Sequence, residues 1–145
     1  MARSRTVART SLIAGLVAGA AMVPVGLALR ASGRAVNVYG ELLVRSILGA
    51  APPAALAALH LVVSVTLAVP FVLASRNRRL GPLWGLGYGI ASWAVVNATV
   101  LPLWFSRPTA WELGFDAAWP SLVVHAVYGS VLGLCVAVRG GPTAP

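Results

Sequence analysis

The sequence predicts an all-α integral membrane protein built as a four-helix bundle in one domain, and three observations carry that prediction. Of its 145 residues, 59% are hydrophobic and only 10% charged, with a mean hydropathy of +0.85, a balance foreign to soluble domains of this size. The apolar residues gather into four runs of about 19 to 25 residues, each able to cross a hydrocarbon core about 30 Å thick at 1.5 Å per residue. Every base is an arginine, and nearly all of them stand beside these runs rather than within them.

Taken in order, the predicted spans cover residues 11–29, 54–75, 81–105 and 120–138. Pro53, Pro82 and Pro120 fall at span starts, where a missing amide hydrogen is tolerated, whereas Pro24, Pro70 and Pro102 lie late in their spans and are candidates to bend them. The opening "MARSRTVART" ahead of an apolar run has the outline of a secretory signal peptide. The run is long enough to span and has an internal counterpart, so a retained helix is expected. Between the first two spans, "VNVYGELLVRSILG" puts Val36, Tyr39, Leu43 and Ile47 on one stripe, predicting an interfacial helix over residues 36–48. The last external connection, "SRPTAWELGFDAAW", carries tryptophans suited to headgroup level.

Arginine placement predicts orientation. Arg3, Arg5, Arg9, Arg76, Arg78, Arg79 and Arg139 fall on one side; Arg30, Arg34, Arg45 and Arg107 share the other with Glu41, Glu112 and Asp116. By the positive-inside rule both termini are cytoplasmic. The net charge of +8 is therefore a topology signal, and no interleaved aromatic and basic patch points to nucleic acid. The lone Cys135 has no partner for a disulfide or a CxxC motif and is expected as apolar filling.

The chain also repeats itself. "GLVAGAA" (residues 15–21) matches "GLGYGIA" (residues 85–91), "YGEL" resembles "AWEL", and in each half a proline then a histidine follows. The offsets, about 70 for the first two matches and 65 for the histidines, predict two parallel helical hairpins related by an axis along the membrane normal.

Gly15 and Gly19, then Gly81, Gly85 and Gly89, then Gly129 and Gly133, form rows at four-residue spacing. Such rows let helix backbones approach closely and can also mediate assembly into a homo-oligomer or a larger complex. His60 and His125 lie about 10 and 8 Å below the external end, deep enough for a pair of imidazoles to hold haem or a transition metal. The competing reading is a pair of interhelical hydrogen bonds. Glu41 and Glu112 could add carboxylates to a metal site, but Thr109 and Glu112 make a TxxE capping box, and Asn37 can cap the helix containing Glu41. Asn97, with Thr99 nearby, is the remaining deep amide, expected to pair across helices or to line a path through a small transporter or channel. Ser64, four residues after His60, leaves space beside that ring. The spans contain no acid and no lysine, and no nucleophile, phosphate loop or HExxH zinc motif stands out. A non-enzymatic membrane protein is therefore expected.

The order "GLVAGAAM", "HLVVS", "LPLWFSRPTAWE", "SLVVHAVYG" resembles the YagU-like family of small bacterial inner-membrane proteins. The resemblance covers most of the chain outside the first external loop. It implies a helical inner-membrane protein without an established activity, with histidines matching His60 and His125. Asn97 stands near where relatives can carry another histidine, a departure that weakens a three-histidine metal site.

Overall fold

A computed structural model of the chain describes residues 2–76, 78 and 80–139, with side chains from Thr6 onward. Helix α1 spans Ala2–Ala31, α2 Val38–Leu48, α3 Pro53–Ser75 and α4 Pro82–Ser92. From α4 the chain runs without a break through a π-helical stretch, Trp93–Val100, into α5, Leu101–Trp104; α6 is the single turn Ala110–Leu113 and α7 is Phe115–Arg139. No strand occurs among the described residues. Four helical stretches, Thr6–Ala31, Pro53–Ser75, Pro82–Trp104 and Phe115–Arg139, are long and apolar enough to cross a membrane.

Among the long helices, the boundaries differ most from expectation at two ends. Helix α1 continues toward the N-terminus through the arginine-bearing segment; Arg3 and Arg5 lie in it, outside the described side chains, and Arg79 lies outside the described residues. Helix α7 begins at Phe115, so Pro120 sits inside it. That proline removes only the bond to the carbonyl of Asp116, an exposed first-turn residue where water can replace it.

Helix α1 packs against both α3 and α7, and α4 packs against the far side of α7. The core follows from this order: Ala14, Ala18 and Met22 of α1 meet Ala68 and Phe71 of α3 and Val124, Tyr128 and Leu132 of α7. The alanines keep α1 close to its neighbours while the larger side chains of α3 and α7 fill the space between them. Cys135 is half-buried and packs against this cluster, as apolar filling should.

Helix α2 starts two residues later than its stripe suggests. Val44 is its buried residue, whereas Ile47 is 72% exposed. Asn37 stands at its N-terminus in the left-handed region (φ 63°), which asparagine tolerates, and makes no side-chain cap bond, against expectation. The capping box before α6 does form: the Glu112 carboxylate accepts from both the amide and the hydroxyl of Thr109, each at 2.7 Å.

Candidate functional site

The two histidines sit at two glycine crossings. In the α1 and α3 crossing, a Cβ added to Gly15 would lie 2.7 Å from Val65 Cα, and one added to Gly19 would lie 2.6 Å from Ser64 Oγ. His60 uses this closeness. Its Nε2 lies 2.9 Å from the Gly19 carbonyl oxygen, so Nε2 carries the ring proton and donates across the helices. Ser64 Oγ donates to the His60 carbonyl at 2.7 Å within α3.

In the α4 and α7 crossing the contacts are backbone on backbone. A Cβ at Gly89 would collide with the His125 carbonyl, one at Gly85 with the Gly129 carbonyl, and one at Gly129 with the Gly85 carbonyl. His125 therefore does not reach across here. Helical side chains lean toward the N-terminus, and its Nδ1 lies 2.8 Å from the Ser121 carbonyl one turn earlier. That bond places the proton on Nδ1 and leaves Nε2 to accept from Asn97 Nδ2 at 2.9 Å.

Asn97 reaches this position because its helix is not purely α. Gly85, Gly89, Trp93 and Asn97 recur every four residues and all meet α7 or its side chains. An α-helix of 3.6 residues per turn would rotate such a row by about 40° per step. The wider π turn holds the later members on the same side; within it, Thr99 Oγ1 donates to the Ala94 carbonyl five residues back at 2.9 Å. Trp93 Nε1 then donates to Ser121 Oγ at 2.6 Å, and Trp111 of α6 stands edge-on to the Trp93 ring with its own Nε1 on Thr99 Oγ1 at 3.1 Å. The strict four-residue row running past Gly89 was the sequence signal for this segment. A cavity of about 60 Å³ remains beside it, lined by Tyr39, Trp93, Asn97, Ala118 and Ser121 among others.

Two tyrosines, which the sequence reading passed over, close the middle of the bundle. Tyr128 donates to the Ser64 carbonyl at 2.6 Å, and Tyr88 to the Leu67 carbonyl at 2.5 Å with its ring tilted against Phe71. Both bind α3, so α7 and α4 are each tied to it by one phenol.

The remaining expected site residues are dispersed. Glu41 bridges Arg30 at 2.8 Å and Glu112 serves its capping box. Neither carboxylate joins a histidine, and no group of three metal-binding side chains forms among the described residues. A ligand entering at His125 Nε2 would have to displace Asn97. Six glycines of the predicted rows are used inside the chain. Gly81 contributes its carbonyl to the contact with Gly133, while its own Cα faces open space. At the same end of the bundle as Glu41, burial pushes the Tyr39 phenol above its ordinary pKa, opposed by the nearby Arg107 guanidinium, and its ring stacks on Phe105 at 6.3 Å.

Neither a family model, nor a curated protein, nor a solved structure matches this chain.

Proposed function

We propose that this is a small multi-pass protein of the bacterial inner membrane, both termini cytoplasmic, acting as a non-enzymatic structural or accessory subunit of a homo-oligomer or larger membrane complex. The observation that carries the reading is where the polar side chains of the spans go. His60, Tyr88, Trp93, Asn97, His125 and Tyr128 each bond to another part of the bundle, so they tie helices together instead of converging on a shared reaction space. The asymmetric arginines support the orientation. The two glycine crossings, between residues related by offsets of 70 and 65, support a two-hairpin repeat. Membership of the YagU-like family belongs to the same proposal and rests on the motif order alone. Because the glycine rows are largely spent within the chain, assembly would use the outer face of α4, where Gly87 is open and Leu83, Trp84 and Ile90 are exposed.

A second reading, a small transporter or channel, is favoured by the cavity beside Asn97 at the π-helical stretch. One experiment separates the readings: the visible spectrum, metal content and proteoliposome solute flux of purified protein, beside a His60→Ala, His125→Ala double variant and Asn97→Leu. The structural reading expects identical colourless spectra and no flux above empty liposomes. A haem band or stoichiometric metal lost with the histidines overturns it, as does a flux abolished by Asn97→Leu.

A further inference from the structure

We infer that the groove between the end of α1 and the start of α2 binds the phosphodiester of an anionic, hydroxylated phospholipid headgroup, with Arg30 and Arg34 as its ligands. This rests on the membrane reading above and adds a defined lipid site to it.

The groove has a volume of about 340 Å³ and is lined by Arg30, Gly33, Arg34, Val36, Val38 and Glu41 among others. Its shape comes from the way α1 ends. Gly33 takes φ +80°, its amide donates to the Arg30 carbonyl at 2.9 Å, and the Arg34 amide donates to the Leu29 carbonyl at 3.0 Å. This paired pattern turns the chain back on itself and fixes the position of Arg34. Both guanidiniums are then held in place, one from beside the groove and one from within it. Arg34 lies over the Trp119 ring, 5.4 Å from its centroid, and Arg30 is gripped by Glu41 Oε1 at 2.8 Å. A cation in the last turn of α1, such as Arg30, is favoured by the helix dipole alone. Arg34 stands beyond the helix, so that explanation does not cover it.

Charge and depth select the occupant. Arg30 and Arg34 against Glu41 leave a net +1 in the groove, which one phosphodiester neutralises; guanidinium donors are suited to phosphate oxygens. Glu41 Oε2 has no hydrogen bond among the described residues, so it can accept from headgroup hydroxyls. Arg30 caps an apolar face on which Val23 and Leu27 are exposed, Leu27 at 61%, giving the acyl chains a surface continuous with the headgroup site. A phosphatidylglycerol fits all four features. A zwitterionic lipid brings an ammonium beside the two arginines and, being neutral overall, leaves the groove's net +1 in place.

Native mass spectrometry of the detergent-purified full chain, with equal phosphatidylglycerol and phosphatidylethanolamine added, tests this. Retention of one phosphatidylglycerol is expected, weakened about tenfold by Arg34→Gln or by Arg30→Gln and unchanged by Arg45→Gln on exposed α2. Arg34→Lys, which keeps the charge and loses the guanidinium over the Trp119 ring, should fall between. Circular dichroism and monodisperse elution confirm that each variant is folded. Equal retention of the two lipids overturns the inference, as does phosphatidylglycerol binding indifferent to Arg34. Complete competition by inorganic phosphate also overturns it, by making the site one for free anion. Any of these in a protein that still requires detergent leaves the membrane reading standing; a chain monodisperse without detergent would remove both.

Discussion

The α1 and α3 crossing and the α4 and α7 crossing set the same ingredients, two glycines against a histidine-bearing helix, and differ in what the second glycine of each row meets. The difference is one residue. Ser64 occupies in the first crossing the place that Gly129 occupies, 65 residues on, in the second. At Gly19 the hydroxymethyl group of Ser64 stands against α1 and His60 bonds the Gly19 carbonyl beside it, whereas one turn earlier, at Gly15, the backbone of α1 meets that of Val65 directly. With hydrogen in its place, α4 and α7 close until backbone meets backbone; the imidazole is expelled along its own helix and finds Asn97 instead. The partner of each imidazole thus follows what stands beside the glycine it faces, a serine side chain at Gly19 and bare backbone at Gly89.

The strongest way to break the comparison is to give the second crossing a side chain. Gly129→Ala puts a methyl group onto the Gly85 carbonyl and 2.8 Å from Gly89 Cα, and neither backbone can yield without separating the helices. A loss of about 3 kcal/mol is expected, at the upper end of overpacking costs, read from denaturant-titrated unfolding in mixed micelles. Gly19→Ala meets the Ser64 side chain, Oγ at 2.6 Å and Cβ at 2.8 Å; rotation relieves the first but not the second, so a smaller loss of about 2 kcal/mol is expected. Ser64→Gly should recover most of it. Equal losses at Gly129 and Gly19 would show that the two crossings are equally tight.

Asn97→Leu ranks below these. It leaves His125 Nε2 without its donor and should cost about 1 kcal/mol, typical of a hydrogen bond between membrane helices. Energy alone would not tell the two histidines apart, but their protons do. Nitrogen NMR of labelled protein should find the ring proton of His60 on Nε2 and that of His125 on Nδ1. The same tautomer at both would contradict the two arrangements described above.

How much of this was legible in the sequence follows the physics of each feature. Span length and apolarity depend on composition within one segment, so four helices could be read directly, as could the Thr109 and Glu112 box, whose two residues are three apart. The pairing of glycine rows could be anticipated because small residues at four-residue spacing leave few other ways to pack. The partners of His60 and His125 could not, since they depend on which residues of two helices stand opposite each other, Ser64 against Gly19 and Gly129 against Gly89. Tyr88 and Tyr128 escaped notice because a phenol bonding a carbonyl that is already in a helix ladder leaves no motif.

The two glutamates extend the comparison to the connections between the long helices. Glu41 of "YGEL" is taken by Arg30, a contact between exposed side chains at 52% and 28% accessibility that salt should screen. Glu112 of "AWEL" stays within its own turn, and the amide and then the hydroxyl of Thr109 hold its carboxyl below the ordinary carboxylate pKa. Because Glu112 titrates lower when folded than when unfolded, its contribution to α6 is complete above the unfolded carboxylate pKa. It is lost as pH falls through the lowered folded value. Trp111 reports on this turn, being edge-on to Trp93 and bonded to Thr99. Its fluorescence in detergent should hold steady through mildly acidic pH and shift only below the ordinary carboxylate range. Glu112→Gln should abolish that shift, and raised salt should leave it largely in place because the partners are an amide and a hydroxyl. A transition unaffected by Glu112→Gln would place its origin at Asp116 or Glu41 and remove the capping box as the device that holds α6 over the π-helical stretch.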